Sequence, residues 1–187
     1  AYLSTDVLIV DKTAPQEELV APEITLTPPQ SESGIYNGDV KIAVSANDPL
    51  AGGSYTGLRT VSYQVRSQGK VTQEGILFAE SDTAMTRRDL QKAWQGEILV
   101  DSAKNNSNDV VIEVYAEDNA RNAAVKRIGV QIDTTAPTVA VSYNNNAAEG
   151  DFFRADRTAT ITVTERNFDP DAVRAEITSS GGIVPMI

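Results

Sequence analysis

The chain has 187 residues, 41% hydrophobic and 22% charged, a balance that fits a folded globular protein rather than a disordered one. It holds no histidine and no cysteine, which excludes serine–histidine triads, thiol nucleophiles, thiolate metal sites and disulfides. The net charge of −10 argues against nucleic-acid binding, which needs clustered cations, and suits a solvated surface or a carboxylate site for a hard cation such as calcium.

Apolar runs are only a few residues long, so no membrane-spanning helix is expected and no membrane insertion by this segment. The chain opens without a basic stretch and apolar core, so an exported protein would hold it as an internal piece.

Taken in order, residues 1–15 read as the last strand of a preceding domain, "STDVLI", running into "VDKTAP". "EITLT" (23–27) alternates, with Ile24 and Leu26 on one face. "DVKIAVSA" (39–46) sets Val40, Ile42, Val44 and Ala46 against Lys41, Ala43 and Ser45. "TVSYQVR" (60–66) aligns Val61, Tyr63 and Val65. The segment "DTAMTRRDLQKAW" (82–94) breaks the period of two; Thr86 and Asp89 resemble a capping box, and a short helix near 86–94 is expected, with Leu90 and Trp94 on the core. An irregular loop carrying a core tryptophan fits the segment about as well. "GEILVD" (96–101), "DVVIEVYA" (109–116) and "KRIGVQID" (126–133) then bury Ile98 and Val100; Val110, Ile112, Val114 and Ala116; and Ile128, Val130 and Ile132. Polar residues oppose the apolar ones, the mark of antiparallel strands with one solvated face. Turn-rich stretches separate them.

After residue 137 the cycle restarts. "PTVAVSY" resembles "PEITLTP", and "ADRTATITVTERNFDP" resembles "NGDVKIAVSANDP", both ending in Asp-Pro. "DAVRAEITS" supplies a third strand. "VDKTAP" and "IDTTAP" themselves recur with Ala14 and Ala136 separated by 136 − 14 = 122 residues. The expected organisation is the end of one domain in 1–15, a complete β-sandwich in 16–134, and the first half of another in 135–187.

The two junctions and the hairpin "VYAEDNARN" resemble those of bacterial immunoglobulin-like domains arrayed in tandem on large secreted or cell-surface, adhesin-like proteins. In that family the hairpin usually reads Ala-x-Asp-x-Ala-Gly-Asn, and the last strand leads into Asp-x-Thr-Ala-Pro. The resemblance implies an all-β, immunoglobulin-like antiparallel sandwich, one complete domain with partial neighbours, here with one short helical excursion. It also implies an extracellular location. Arg121 stands where the family has glycine, which predicts either a strained left-handed residue or a different turn with Asn119 or Asn122 at positive φ.

Proline ends each junction because it cannot donate to a sheet ladder, giving a short, stiff link. Asp133 closes the last strand, and Asp11 holds the equivalent place one repeat earlier. Two roles compete there. An Asx-type turn would use the carboxylate to accept backbone N–H groups. A calcium site would combine Asp133 with Asp118 and Asn119 of the hairpin, or with Asp48 and Asp169 of the "DP" loops, since calcium takes six to eight oxygens. The turn role is the better supported of the two, because no EF-hand spacing occurs.

No motif marks an enzyme, and the acidic residues read as solvated strand ends and faces. Lys41 and Lys126 raise an intramolecular isopeptide bond, but both are read onto the polar face. "NNS" (105–107) is a glycosylation sequon that reads better as a turn. Tyr55, Tyr115, Arg59 and Arg66 could line a surface for a glycan or host protein, although ordinary solvated faces account for them better. The function expected is a non-catalytic spacer or scaffold repeat, partnered by neighbouring repeats of the same polypeptide. The alternative is an accessory module of a secreted enzyme that binds a protein or polysaccharide.

Overall fold

The computed structural model describes residues 21–50, 55–80, 92–144, 148–149, 152–153, 155–179 and 182–184. They fall into two units, one ending at Ile132 and the next beginning at Asp133. The fold is all-β. Among the described residues the only helical element is a single 3-10 turn, Pro170–Ala172. The expected 1–15 strand and most of the expected 86–94 helix lie outside the described residues.

The first unit holds strands β1 (Glu23–Thr27), β2 (Ile35–Tyr36), β3 (Val40–Asn47), β4 (Leu58–Ser67), β5 (Lys70–Ala79), β6 (Ala93–Val100), β7 (Val110–Asp118) and β8 (Ala123–Ile132). They form a three-stranded sheet in the order β1-β3-β6 and a five-stranded sheet in the order β2-β8-β7-β4-β5. All pairs are antiparallel except β2 with β8. The polypeptide crosses from one sheet to the other between β1 and β2. Pro28 and Pro29 offer no N–H there, which ends β1. Tyr36 then donates its hydroxyl to the Pro29 carbonyl at 2.7 Å and closes the excursion.

Alternation builds the core. Val40, Ile42, Val44 and Ala46 of β3, with Ile98 and Val100 of β6, are buried on one sheet. Leu58, Val61 and Val65 of β4, Val110, Ile112, Val114 and Ala116 of β7, and Val130 and Ile132 of β8 are buried on the other. The two inner faces form one apolar cluster. Burying each large side chain contributes about 1.5–3 kcal/mol, so truncating a central one such as Ile112 to alanine costs about 2–5 kcal/mol.

Strand β5 escapes the sequence pattern. Register shifts between Val61 and Ser62, and between Val65 and Arg66, interrupt its pairing with β4. A bulge places one extra residue on a strand, so both Leu77 and Phe78 pack on the core and the period of two is lost. The β4–β5 hairpin turns through Gln68 (φ 51) and Gly69 (φ 77), the two left-handed residues of a two-residue hairpin loop.

Trp94 lies in β6 rather than in a helix, and it packs against the core as expected. Its ring rests over Gly96, two residues along the same face. A Cβ at Gly96 would stand 2.4 Å from the Trp94 ring, so glycine is what lets the indole lie down. Gly75 does the same for Tyr63 across the β4–β5 pair, where a Cβ would stand 2.8 Å from the phenol ring.

The second unit pairs β9 (Thr138–Tyr143) with β12 (Ala159–Thr164), and adds the short hairpins β10 (Ala148–Glu149) with β11 (Phe152–Phe153) and β13 (Ile177–Ser179) with β14 (Gly182–Val184). Val139 faces Val163 and Val141 faces Ile161 across the central pair. Val139, Val141, Tyr143 and Ile161 remain 43–64% exposed.

The two units start alike, with Pro22 directly before β1 and Pro137 directly before β9. Glu23 pairs with Asn47, and Thr138 with Thr164. By that register Glu165, not Asp169, takes the place of Asp48. The two Asp-Pro steps are therefore not equivalent. Asp169 instead caps the 3-10 turn, accepting from the Asp171 N–H at 3.0 Å.

Candidate functional site

Three of the five calcium candidates, Asp48, Asp118 and Asn119, meet at the Thr56–Gly57 segment and the hairpin beside it. Asp48, buried just after β3, accepts the N–H groups of Thr56 (3.0 Å) and Gly57 (2.7 Å) on Oδ2. Asn119 donates from Nδ2 to the Thr56 carbonyl (3.1 Å) and from its backbone to the Gly57 carbonyl (3.0 Å). Asp118, buried at the end of β7, accepts the Asn122 N–H on Oδ1 and the Asn122 Nδ2 on Oδ2, both at 2.8 Å. These side chains hold loops closed.

The left-handed residue of the hairpin is Arg121 itself, at φ 73, and not Asn119 or Asn122. Its N–H donates to the Asp118 carbonyl at 3.1 Å, and its Nη1 lies 2.7 Å from Glu117 Oε1. Local bonding thus holds a geometry that glycine would adopt without strain.

Asp133 belongs to the second unit. Its Oδ1 accepts the Thr135 N–H at 3.1 Å, which is the Asx-type turn, and lies 2.7 Å from Arg166 Nη2. Its Oδ2 accepts from Asn167 Nδ2 at 2.5 Å and Arg166 Nε at 3.2 Å. Burial pushes this carboxyl up, but the Thr135, Arg166 and Asn167 bonds outweigh it and hold the pKa below the ordinary value. Both oxygens face cationic or N–H donors, the opposite of what a metal ion needs. Among the described residues no group of three or more acidic or other ligand side chains is placed to hold a metal.

The residues considered for a recognition surface separate. Tyr115 and Arg66 meet on Glu113, at the outer face of the five-stranded sheet. Tyr115 donates its hydroxyl to Glu113 Oε2 at 2.7 Å, Arg66 Nε lies 3.6 Å from the same oxygen, and Arg127 Nε binds Oε1. Glu74, Gln64, Glu113 and Arg127 stand opposite one another on four successive strands. The Tyr115 bond, then the Arg127 bond, hold the Glu113 carboxyl below the ordinary range against the effect of burial. That bond to Glu113 also raises the Tyr115 phenol. Arg59 lies instead near Glu117, at 3.9 Å, and Tyr55 carries Lys92 5.5 Å from its ring centre. From the sequence, Glu113 reads as a plain outward residue. Its position in β7, opposite Gln64 and Arg127, is the signal that could have shown the network.

Asn105 of the sequon is fully buried. Its Nδ2 donates to Gln73 Oε1 and to the Asp101 carbonyl, both at 2.8 Å, and its Oδ1 accepts the Thr72 hydroxyl at 2.6 Å. The amide nitrogen is thus inaccessible to a glycosyl donor in the folded protein. Lys41 is exposed on the outer face of β3. Lys126 was expected on the polar face; it pairs with Val114 and shares the core-side face, but it lies at the exposed end of β8.

A shallow groove of about 420 Å³ crosses the outer face of the β1-β3-β6 sheet, lined by small and polar residues including Thr25, Thr27, Ala43, Ser45, Gln95 and Glu97. Glu97 is the one carboxylate among its lining residues. No helix among the described residues is long and apolar enough to cross a membrane. Comparison of the sequence with protein-family models finds no match, and comparison with curated proteins finds none either.

Proposed function

We propose that the chain is a piece of a tandem array of immunoglobulin-like sandwich repeats in a large bacterial surface or secreted protein, acting as a non-catalytic spacer. One observation above all supports this reading: the strand order of the first unit. Strands β1, β3 and β6 correspond to A, B and E of the immunoglobulin scheme, and β2, β8, β7, β4 and β5 to A′, G, F, C and C′. The restart after Pro137, with β9 registered on β12 as β1 is on β3, supports repetition of that module. Asp133 at the 132–137 junction and the carboxylates and amides of the described loop tips act as turn clamps, which is the chemistry a scaffold needs.

The test is a screen of the 187-residue protein against glycan and host-matrix protein arrays. The spacer reading expects no saturable binding. Reproducible binding of one glycan or protein class would replace it with the accessory-module reading.

A further inference from the structure

We propose that Asn37 is a site of spontaneous deamidation, converting in aged protein to a mixture of aspartyl and isoaspartyl linkages. Asn37-Gly38 is the only Asn-Gly step in the sequence. It occupies the bend between β2 and β3, with Asn37 exposed. Neither the Asn37 carboxamide nor the Gly38 N–H has a hydrogen-bond partner among the described residues. The asparagines at 105 and 119, by contrast, have their amides engaged by protein partners.

The chemistry needs only water. The Gly38 backbone nitrogen attacks Asn37 Cγ and loses its proton to solvent. The new N–Cγ bond forms as the carboxamide Cγ–Nδ2 bond breaks, and Nδ2 takes a proton from solvent and leaves as ammonia. Water then opens the five-membered succinimide at either carbonyl, giving an aspartyl or an isoaspartyl link. Nothing hinders the attacking nitrogen: a Cβ at Gly38 would meet no atom within 4 Å. No side chain stands in the way, because glycine has none.

The bend is fixed on both sides. Tyr36 pairs with Ile132 and reaches back to Pro29. Asp39 Oδ1 accepts the Ser102 N–H (2.8 Å) and hydroxyl (2.7 Å), directly before buried Val40. An isoaspartyl link adds a methylene to the backbone between these anchors, so one of them must yield. The β2 strand, which follows the crossing from one sheet to the other, is the shorter and weaker.

The test ages the 187-residue protein at mildly alkaline pH beside the variants Gly38→Ala and Asn37→Gln. Gly38 lies outside the left-handed region and has open space, so alanine fits there. Peptide mapping with an isoaspartyl-specific methyl-transfer assay is expected to find conversion at residue 37 ahead of other asparagines. Both variants are expected to lose that signal, and converted wild type to melt below fresh protein. Aged protein still amidated at 37, a Gly38→Ala variant that converts as fast as wild type, or converted protein that melts with fresh protein would each overturn the proposal.

Discussion

Asn105 and Gln73 meet at the edge where the two sheets of the first unit come together, the Asn105 amide donating to Gln73 Oε1 at 2.8 Å. The same oxygen accepts the Asp101 N–H at 2.9 Å, and the Gln73 amide donates to the Leu99 carbonyl at 3.1 Å. One residue of edge strand β5 thereby caps backbone groups at the end of edge strand β6. Unpaired edges invite aggregation, and this bridge occupies part of one.

Replacing Asn105 by alanine takes one partner each from Gln73 Oε1, the Asp101 carbonyl and the Thr72 hydroxyl and leaves a buried gap. The expected loss is about 1–3 kcal/mol, read as a lowered urea midpoint with an unchanged slope. Asn105→Asp should cost more, since it buries a charge where the amide donated twice.

The Asp48 carboxylate is expected to act on loop closure and not on a metal. Asp48→Ala removes two bonds to backbone N–H groups and should cost about 1–3 kcal/mol. The melting temperature of the parent protein should be the same in calcium and in chelator. A calcium-dependent rise that Asp48→Ala or Asp118→Ala abolishes would restore the metal role.

Glu113 should shape the acid limb of stability. Its folded pKa lies below the ordinary value of 4.5, mainly through the Tyr115 hydroxyl and then Arg127. A depressed carboxyl contributes in full above the unfolded value and loses its contribution as pH falls through the lower folded value. Tyr115 is the converse: its raised pKa contributes below the ordinary value of 10.0 and is lost as pH rises through the folded value. Glu113→Gln should flatten stability against pH below 4.5, and Tyr115→Phe should return the Glu113 titration, followed by carbon-13 NMR, toward its ordinary value.

Much of this arrangement is legible in the residues. Six strands read correctly because their inner faces alternate without a break, as Val40, Ile42, Val44 and Ala46 do. Strand β5 is hidden because its bulges put Leu77 and Phe78 on the same side and Gly75 leaves a gap in the pattern. Trp94 misleads because its spacing from Leu90 suits a helix, while the residue that decides its place is the small Gly96 beneath it. At the candidate site, the Asx turn at Asp133 is local and readable from the sequence. Its partners Arg166 and Asn167 are brought back by the β9–β12 pairing, which no local pattern announces.

The Trp94–Gly96 contact gives a clean optical test, because Trp94 is the sole tryptophan. A methyl at residue 96 would collide with the indole, so Gly96→Ala should red-shift its emission and cost about 1–3 kcal/mol. Leu99→Ala, on the exposed face of the same strand, should change the emission little.

The central claim is that separate β-modules are strung along this polypeptide, the first closing at buried Ile132. Its most direct test is amide hydrogen exchange and thermal melting of a fragment that stops at Ile132, compared with the 187-residue protein. Strands β3, β4, β7 and β8 are expected to keep the same protection, and the melting temperature to be the same, in both. A fragment that loses that protection, or melts well below the parent protein, would show one shared core and contradict the account.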